Sequence, residues 1–406
     1  MNVWIFNNHA VAPAMRGSTR HFDCGLRLIA KGWDVTIFAG TSEKKASADI
    51  AATGGNPVRV QMVDGVRFVW IDTPSYSAND LRRAFSMVSF ALRARRFAVG
   101  GSRHLESVPR PHVIVGSSVH PFAALAAQRV AKRLGVPFVL ELRDLWPQSL
   151  IEMGAISRWH PLAIGLRALE SWLVRRAVRI IVLSERAAEY LVRRGTSEDT
   201  IALIPNGVDL DRFGPASPVP ADDPPFTFIY LGAHGIANRL SAILDAAERL
   251  KKRGVDDLAI VFVGGGKTKA GLRRRAKETG LDFVSFRPGV AKTKVPDTLA
   301  RADALILTEA NNVYGSSNKL SDYLAAGRPI VFSTFAHHNI ASDCGIIADP
   351  EDPEALPKAI EELARAPREQ RQKMGTAGRR AVEETRSWDR LALRYEEVLA
   401  DAARHS

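Results

Sequence analysis

Residues 314 to 322 read Tyr-Gly-Ser-Ser-Asn-Lys-Leu-Ser-Asp and form the most telling stretch of the chain for ligand chemistry. The segment reads as a loop that turns into a helix near Asn318 and closes at Gly327. Ser316, Ser317 and the first helical amides can cradle a pyrophosphate, because unpaired N–H groups and the positive end of the helix dipole meet there. Lys319 adds a cation at the same end. Asp322, one turn in, can accept two hydrogen bonds from adjacent ribose hydroxyls. Its bland alternative is a solvated helix residue.

Two glycine loops repeat the theme upstream. The apolar run Phe226 to Leu231 ends at Gly232-Ala233-His234-Gly235-Ile236-Ala237-Asn238-Arg239. Glycine lets a backbone approach an anion closely, and His234, Asn238 and Arg239 offer donors. After the next apolar run comes Gly264-Gly265-Gly266-Lys267, of which Gly265 and Lys267 are the candidates, and Arg287 follows a third. Such loops also serve as plain tight turns. In the first half, Gly17 precedes Ser18, Thr19 and Arg20 at a helix start, which suits a phosphate or simply a cap. His120 can act as a general base, bond a sugar hydroxyl or stay structural. Arg143 and Asp144 form either a pair that holds their loop or groups that touch acceptor and donor.

The elements that must position these residues alternate. Val3 to Phe6, a helix over Thr19 to Lys31 and Asp34 to Gly40 make a strand-helix-strand unit, which implies a parallel sheet covered on both faces. Val113 to Val115, a helix over Ala123 to Leu134, Pro137 to Leu142, Ile180 to Leu183 and a helix over Glu185 to Arg194 continue it. The rhythm restarts after Ile204-Pro205-Asn206-Gly207, followed by five prolines between Pro215 and Pro225 that make a stiff connector. A second series runs from Phe226 to Ser333. The expectation is two tandem Rossmann-like α/β domains, each a doubly wound parallel sheet, facing a cleft lined by the carboxyl ends of their strands. The domains are placed at 1–205 and 206–385, with a terminal segment 386–406 returning to the first.

Composition narrows the class. The 406 residues carry 46% hydrophobic and 25% charged side chains, so the chain folds throughout. Cys24 and Cys344 stand far apart without metal spacing, so no disulfide framework or zinc site is expected and a cytoplasmic setting fits. The apolar start is too short for a signal peptide, and Pro111 to Gln128, though uncharged, holds too many polar residues to span a bilayer. Lys and Arg number 56 against 44 Asp and Glu, a net +12. Residues 1–205 hold 27 basic and 16 acidic residues, or +11, and the rest 29 and 28, or +1. The segment Leu81 to His104 interleaves Arg82, Arg83, Arg93, Arg95, Arg96 and Arg103 with Phe85, Met87, Val88, Phe90, Leu92 and Phe97. It is either a helix lying on an anionic bilayer, extended by Trp159, Trp172, Arg175 and Arg176, or one with a solvated basic face. A nucleic-acid binder competes on charge alone, but no recognition motif accompanies it. A dehydrogenase would need GxGxxG in the first loop, which lacks that spacing. A sugar-nucleotide epimerase on the same architecture stays open.

The order of the parts resembles the family 4 glycosyltransferases of the GT-B fold. GSTRHFD at 17–23, ELRDLWP at 141–147, LSERAAEYLVRRG at 183–195, IPNGVDLDRF at 204–213, YLGAHGIANRL at 230–240, FVGGGK at 262–267 and SNKLSDYLAAGRPIV at 317–331 carry the likeness. The AHGIAN and SNKLSDYLAAG forms look most like the subgroup that includes L-fucosamine transferases of bacterial surface polysaccharide assembly. The resemblance implies retaining transfer from a nucleoside diphosphate sugar, bet to be UDP-linked, held by the second domain. It implies an acceptor on the first domain, lipid-linked or saccharide, with the enzyme peripheral on the inner face of the membrane. No metal or other cofactor is implied, since basic side chains and helix N-termini offset the leaving diphosphate, here Lys319 first, then Arg239 and Arg20. The family's paired Glu positions fall on Tyr314 and Asp322, and its Arg and Lys after the first strand of the second domain fall on Ala233 and Asn238.

Overall fold

The protein was analysed as a computed structural model, which describes residues 1–41, 57–74, 81–100, 108–152, 154, 156–214, 225–310, 314–334 and 341–405. Arg103, His104 and all but the last residue of the proline connector lie outside the described residues. Two compact units emerge. The first comprises Met1–Asn206, Tyr314–Ser316 and Trp388–Ser406, and the second Gly207–Val313 and Ser317–Ser387.

In the first unit, strands β1 (Asn2–Phe6), β2 (Asp34–Thr41), β3 (Val58–Val63), β4 (Val66–Asp72), β5 (Val113–Ser117), β6 (Phe138–Leu142), β7 (Arg179–Val182) and β8 (Ile201–Leu203) form one sheet, ordered β3-β4-β2-β1-β5-β6-β7-β8. Its helices are α1 (Arg20–Ile29), α2 (Leu81–Val99), α3 (Pro121–Leu134), α4 (Gln148–Glu152), α5 (Pro161–Val174), α6 (Glu185–Arg193) and the last, α14 (Trp388–Ala403). Side chains alternate across the sheet as the two-residue strand period requires. Val3 and Ile5 of β1 pack with Phe68, Trp70, Trp388 and Tyr395 on one face, while Trp4 and Phe6 pack with Phe38, Phe90 and Leu140 on the other. Both faces are covered, which explains the continuous apolar runs. The sheet is parallel except for β3, which pairs antiparallel with β4. That hairpin escaped the strand pattern, yet its turn is the pair Asp64-Gly65 with φ of 47° and 86°, the geometry an Asp-Gly turn favours.

In the second unit, β9 (Phe226–Leu231), β10 (Leu258–Val263), β11 (Val284–Arg287), β12 (Ala304–Glu309), β13 (Ile330–Thr334) and β14 (Gly345–Ile347) form an all-parallel sheet ordered β11-β10-β9-β12-β13-β14. The helices are α7 (Leu240–Lys252), α8 (Lys269–Glu278), α9 (Val295–Leu299), α10 (Asn318–Ala325), α11 (Ala341–Cys344), α12 (Ala355–Arg365) and α13 (Arg368–Thr385). Phe228 and Tyr230 face a core with α7 and α12, and Ile229 faces one with α9 and α10.

In both sheets the chain reverses its direction of winding at the first strand. β1 has β2 on one side and β5 on the other, and β9 has β10 and β12. A doubly wound sheet opens a crevice at the carboxyl ends of such strands. The loops after β1 and β5, and those after β9 and β12, are therefore where site residues belong.

Candidate functional site

The second unit gathers its polar groups at the β9/β12 switch. Lys319, in the first turn of α10, runs across Gly232 at the end of β9. A Cβ on Gly232 would lie 2.7 Å from Lys319 Cδ and 2.8 Å from the Tyr230 hydroxyl, so only glycine leaves room. The Lys319 ammonium pairs with Glu309 Oε1 at 2.9 Å, donates to Asn238 Oδ1 and sits 5.5 Å from the Tyr230 ring centroid. Asn238 is itself oriented by donating to the Ala233 carbonyl at 2.8 Å. Glu309 also accepts from the Ser317 hydroxyl at 2.8 Å, and Ser317 Oγ accepts from Leu320 N at 3.3 Å as the N-cap of α10. One turn on, Asp322 is buried and receives Lys292 Nζ at 2.6 Å on both carboxylate oxygens. Two oxygens offer about four lone-pair sites, so this carboxylate keeps capacity for ribose hydroxyls. Two lysines, each paired with a carboxylate, and a helix N-terminus thus stand at one switch, and the helix amides with Lys319 are the groups here that can meet a diphosphate.

The first unit holds a buried charged network under the β1/β5 switch. Glu141 of β6 accepts from Arg20 Nε at 2.7 Å and meets His21 Nε2 at 2.6 Å, and all three side chains are almost fully buried. Asn7 fixes the imidazole tautomer. Its Oδ1 accepts from His9 N, which turns its amide nitrogen to His21 Nδ1 at 2.9 Å, so the ring proton lies on Nε2 and points at Glu141. Burial holds His21 below its usual pKa and so neutral; burial alone would raise Glu141, but Arg20 and His21 outweigh it and keep the carboxyl well below the ordinary range. Above this network stand His120, buried at the N-cap of α3 and edge-on to His9 at 5.7 Å between ring centroids, and Arg143, which reaches Ser18 Oγ at 3.4 Å. Burial lowers Arg143 below its usual pKa and raises Asp144, with Arg143 and Arg83 opposing the latter.

Comparison with known proteins assigns the chain to a family. Residues 23–207 match the family described as Glycosyl transferase 4-like domain, and residues 217–381 match Glycosyl transferases group 1. The whole fold superposes on sucrose-phosphate synthase from Thermosynechococcus elongatus with a TM-score of 0.77, 17% identity and full coverage of both chains. The chain is a GT-B glycosyltransferase of the family 4 kind. The glycosyltransferase is also similar to an Escherichia coli (strain K12) protein named for colanic acid biosynthesis, 23% identical over 332 residues, 76% of this chain and 79% of that one. An Anabaena protein solved with UDP and glucose shares its fold at a TM-score of 0.69 and 12% identity, covering 99% and 100% of the two chains.

Several residues of the glycosyltransferase that the sequence nominated for ligand contact are engaged elsewhere. Arg20 is the first. It is buried, and besides Glu141 it donates to the carbonyls of Ile204 at 2.9 Å and Pro205 at 2.6 Å, with its guanidinium 5.3 Å from the Trp388 ring centroid. A cation so committed pins the end of the first unit. His234 is a second. Its ring is buried among Tyr230, Phe262 and Phe286, and its backbone bonds Gly265 and Thr268, so it joins the two glycine loops. Arg239 turns its guanidinium to the Pro350 carbonyl at 3.0 Å, and Ser316 accepts from Asn206 N at 3.1 Å in the first unit. Tyr314 packs in the first unit, edge-on to Tyr190 at 5.7 Å.

Other nominees keep an open position. Lys267 and Arg287 are exposed, as are Gly265 and Gly17, and Asn318 opens α10. Gly232, Asn238, Ser317, Lys319 and Asp322 are brought together; His120, Arg143 and Asp144 stand together in the other unit. Lys292 and Glu309 were missed. Nothing in the spacing of the segment Ala291 to Lys294 points to Asp322, whereas Glu309, an acid ending an apolar strand, was a readable signal, as was Glu141 inside β6. Among the described residues no three His, Cys, Asp or Glu side chains are grouped to hold a metal ion, and no helix is long and apolar enough to cross a membrane.

Proposed function

We propose that this glycosyltransferase transfers a sugar with retention of anomeric configuration from a UDP-sugar to a lipid-linked or saccharide acceptor in the assembly of a bacterial surface polysaccharide. The observation that carries the reading is the Lys319–Asn238–Glu309 cluster over Gly232 beside Asp322. In this reading Asp322, oriented by Lys292, accepts the ribose hydroxyls. Lys319 and the first amides of α10, from Asn318 on, offset the charge that develops on the leaving diphosphate, and Ser317 holds that turn in place. Lys267 and Arg287 are exposed cations for the outer phosphate oxygens. Transfer is metal-independent here, because the basic groups occupy the role a divalent ion would fill.

The acceptor is assigned to the first unit, where His120 and Arg143 address sugar hydroxyls and Asp144, whose carboxyl burial makes more basic than usual, takes up the proton of the acceptor hydroxyl. The Escherichia coli relative named for colanic acid biosynthesis supports a polysaccharide role, and the Anabaena protein with UDP and glucose supports a uridine nucleotide on this fold. The AHGIAN and SNKLSDYLAAG segments favour a deoxy or N-acetylated sugar. The enzyme acts in the cytoplasm, peripheral on the inner face of the membrane, as the +11 of its first 205 residues suggests. A thermal-shift panel of UDP, GDP, ADP and dTDP sugars tests the donor. Stabilisation by UDP-sugars above the rest is expected, and a preference for another base overturns the nucleotide assignment.

A further inference from the structure

The proposed reaction leaves one buried carboxyl unused. Glu170 of α5 is only 4% exposed, and its Oε1 accepts from the Tyr190 hydroxyl of α6 at 3.2 Å. Among the described residues Oε2 has no hydrogen-bond partner. Buried polar atoms are nearly always paired, so a carboxyl left half satisfied calls for a reason.

Few charges face this group. Tyr190 and Arg194 reach it from α6 and its end, Arg167 from its own helix, and the Trp146 backbone from the loop after β6. Arg194 is shared with Ser171 Oγ at 3.0 Å and the Tyr190 ring at 5.3 Å. From α3, which also packs on α5, Arg129 is engaged by the Trp172 ring at 5.0 Å. Burial outweighs these neighbours and raises the Glu170 carboxyl to about 7, while the Tyr190 phenol, pushed up to about 12 by burial and by Glu170, keeps the proton it donates.

Tyr190 carries the contact onward. Its ring lies edge-on to that of Tyr314 at 5.7 Å, and both pack against the core that contains Leu140, Leu173 and Val182. Tyr314–Ser316 groups with the first unit, whereas Ser317 onward belongs to the second. Ser316 is held there twice, its Oγ accepting from Asn206 N at 3.1 Å and its carbonyl from Asn206 Nδ2 at 2.6 Å. One peptide bond later comes Ser317, which caps α10 and donates to Glu309. The start of the helix that bears Lys319 and Asp322 therefore hangs on a segment whose aromatic anchor rests on Tyr190. A neutral Glu170 suits its dry site. An ionised one has to gain water at Oε2, because a bare charge there is costly, and Tyr190 moves with it.

We propose that Glu170 and Tyr190 are positioning residues for the donor helix: with Glu170 neutral they hold Tyr314–Ser316, and with it the cap of α10, in the place that binds the nucleotide, and ionisation of Glu170 releases that hold. The inference rests on the donor reading above, since it acts on the helix given to the diphosphate and the ribose.

Two readouts on the full chain test it, calorimetric titration with UDP and hydrogen exchange of residues 314–322, each at about pH 6 and about pH 8. In the native chain UDP should lose about tenfold in affinity at the higher pH relative to Glu170→Gln, which stays neutral throughout and shares the ligand's own titration. Exchange of 314–322, corrected for its chemical rate, should quicken about tenfold in the native chain and stay level in Glu170→Gln. Tyr190→Phe keeps the ring but removes a hydrogen bond that favours the carboxylate, so the midpoint of both changes should move to higher pH; this variant decides the matter if Glu170→Gln does not fold. The same pH dependence in all three proteins, or none in the native chain, overturns the proposal. UDP binding with pH-independent exchange sinks the positioning role alone, and pH-dependent exchange without UDP binding sinks the donor assignment alone.

Discussion

Lys292 donates to both carboxylate oxygens of Asp322 at 2.6 Å, across 30 positions of sequence, and so orients the group proposed to hold the ribose. Lys292→Met should leave the fold intact and weaken UDP binding roughly tenfold, about 1.4 kcal/mol, because the freed carboxylate can rotate. Isothermal titration calorimetry checks this. Native affinity in the variant would show that Lys292 serves stability alone.

Arg20 predicts the opposite separation. Removing it strands Glu141 in a buried site, and breaking a buried pair from one side costs about 3–5 kcal/mol. Arg20→Met should therefore lower the midpoint of denaturant unfolding markedly, while the folded fraction binds UDP within about twofold of native, a change of only a few tenths of a kcal/mol. A stable variant that fails to bind UDP would restore Arg20 to the phosphate site.

Gly232→Ala isolates the floor under Lys319. The added methyl meets Lys319 Cδ and the Tyr230 hydroxyl below 3 Å, and the flexible lysine is the group that yields. Transfer should fall roughly tenfold to a hundredfold in kcat/KM, about 1.4–2.7 kcal/mol, with little change in melting temperature. Loss of stability without loss of rate would place the glycine's role in packing.

His234 gives a pH signature. Burial first, and then the charge of Lys269, hold its imidazole down to about 4, against 6.5 when unfolded. Between those values the unfolded chain binds more protons, so stability rises with pH from 4 to 6.5 and is lost as pH falls back through that window. The full effect is roughly 3 kcal/mol. His234→Phe should flatten the slope of unfolding free energy against pH in that range relative to native. An unchanged slope would mean the ring is protonated in the native state.

Much of this fold was legible because each half of the chain repeats strand, loop and helix with the two-residue and 3.6-residue periods. Asp322 and Lys319 were legible because they follow a small-residue loop at a helix start. Their partners were not. Lys292 comes from a short turn with no periodic signal, and only the crossing from β11 to α9 brings it to Asp322. The partners of Arg20 and His234 were illegible for the same reason: a basic residue after glycine looks like a ligand donor in sequence, and its burial against Glu141 or Phe262 appears only in the fold. In α2, too, the apolar residues could not be sorted from sequence: Phe85 and Leu92 are exposed, whereas Phe90 and Phe97 are buried.

The central claim is that Lys319 and Asp322 divide the nucleotide between them, diphosphate to one and ribose to the other. Calorimetric titration of the native chain, Lys319→Ala and Asp322→Ala with UDP and with uridine tests it directly. Lys319→Ala should weaken UDP by about a hundredfold, some 2.7 kcal/mol, and leave uridine nearly unchanged, while Asp322→Ala should weaken both. Equal affinities across the three proteins, or a loss for Lys319→Ala that is the same for uridine as for UDP, would contradict the assignment.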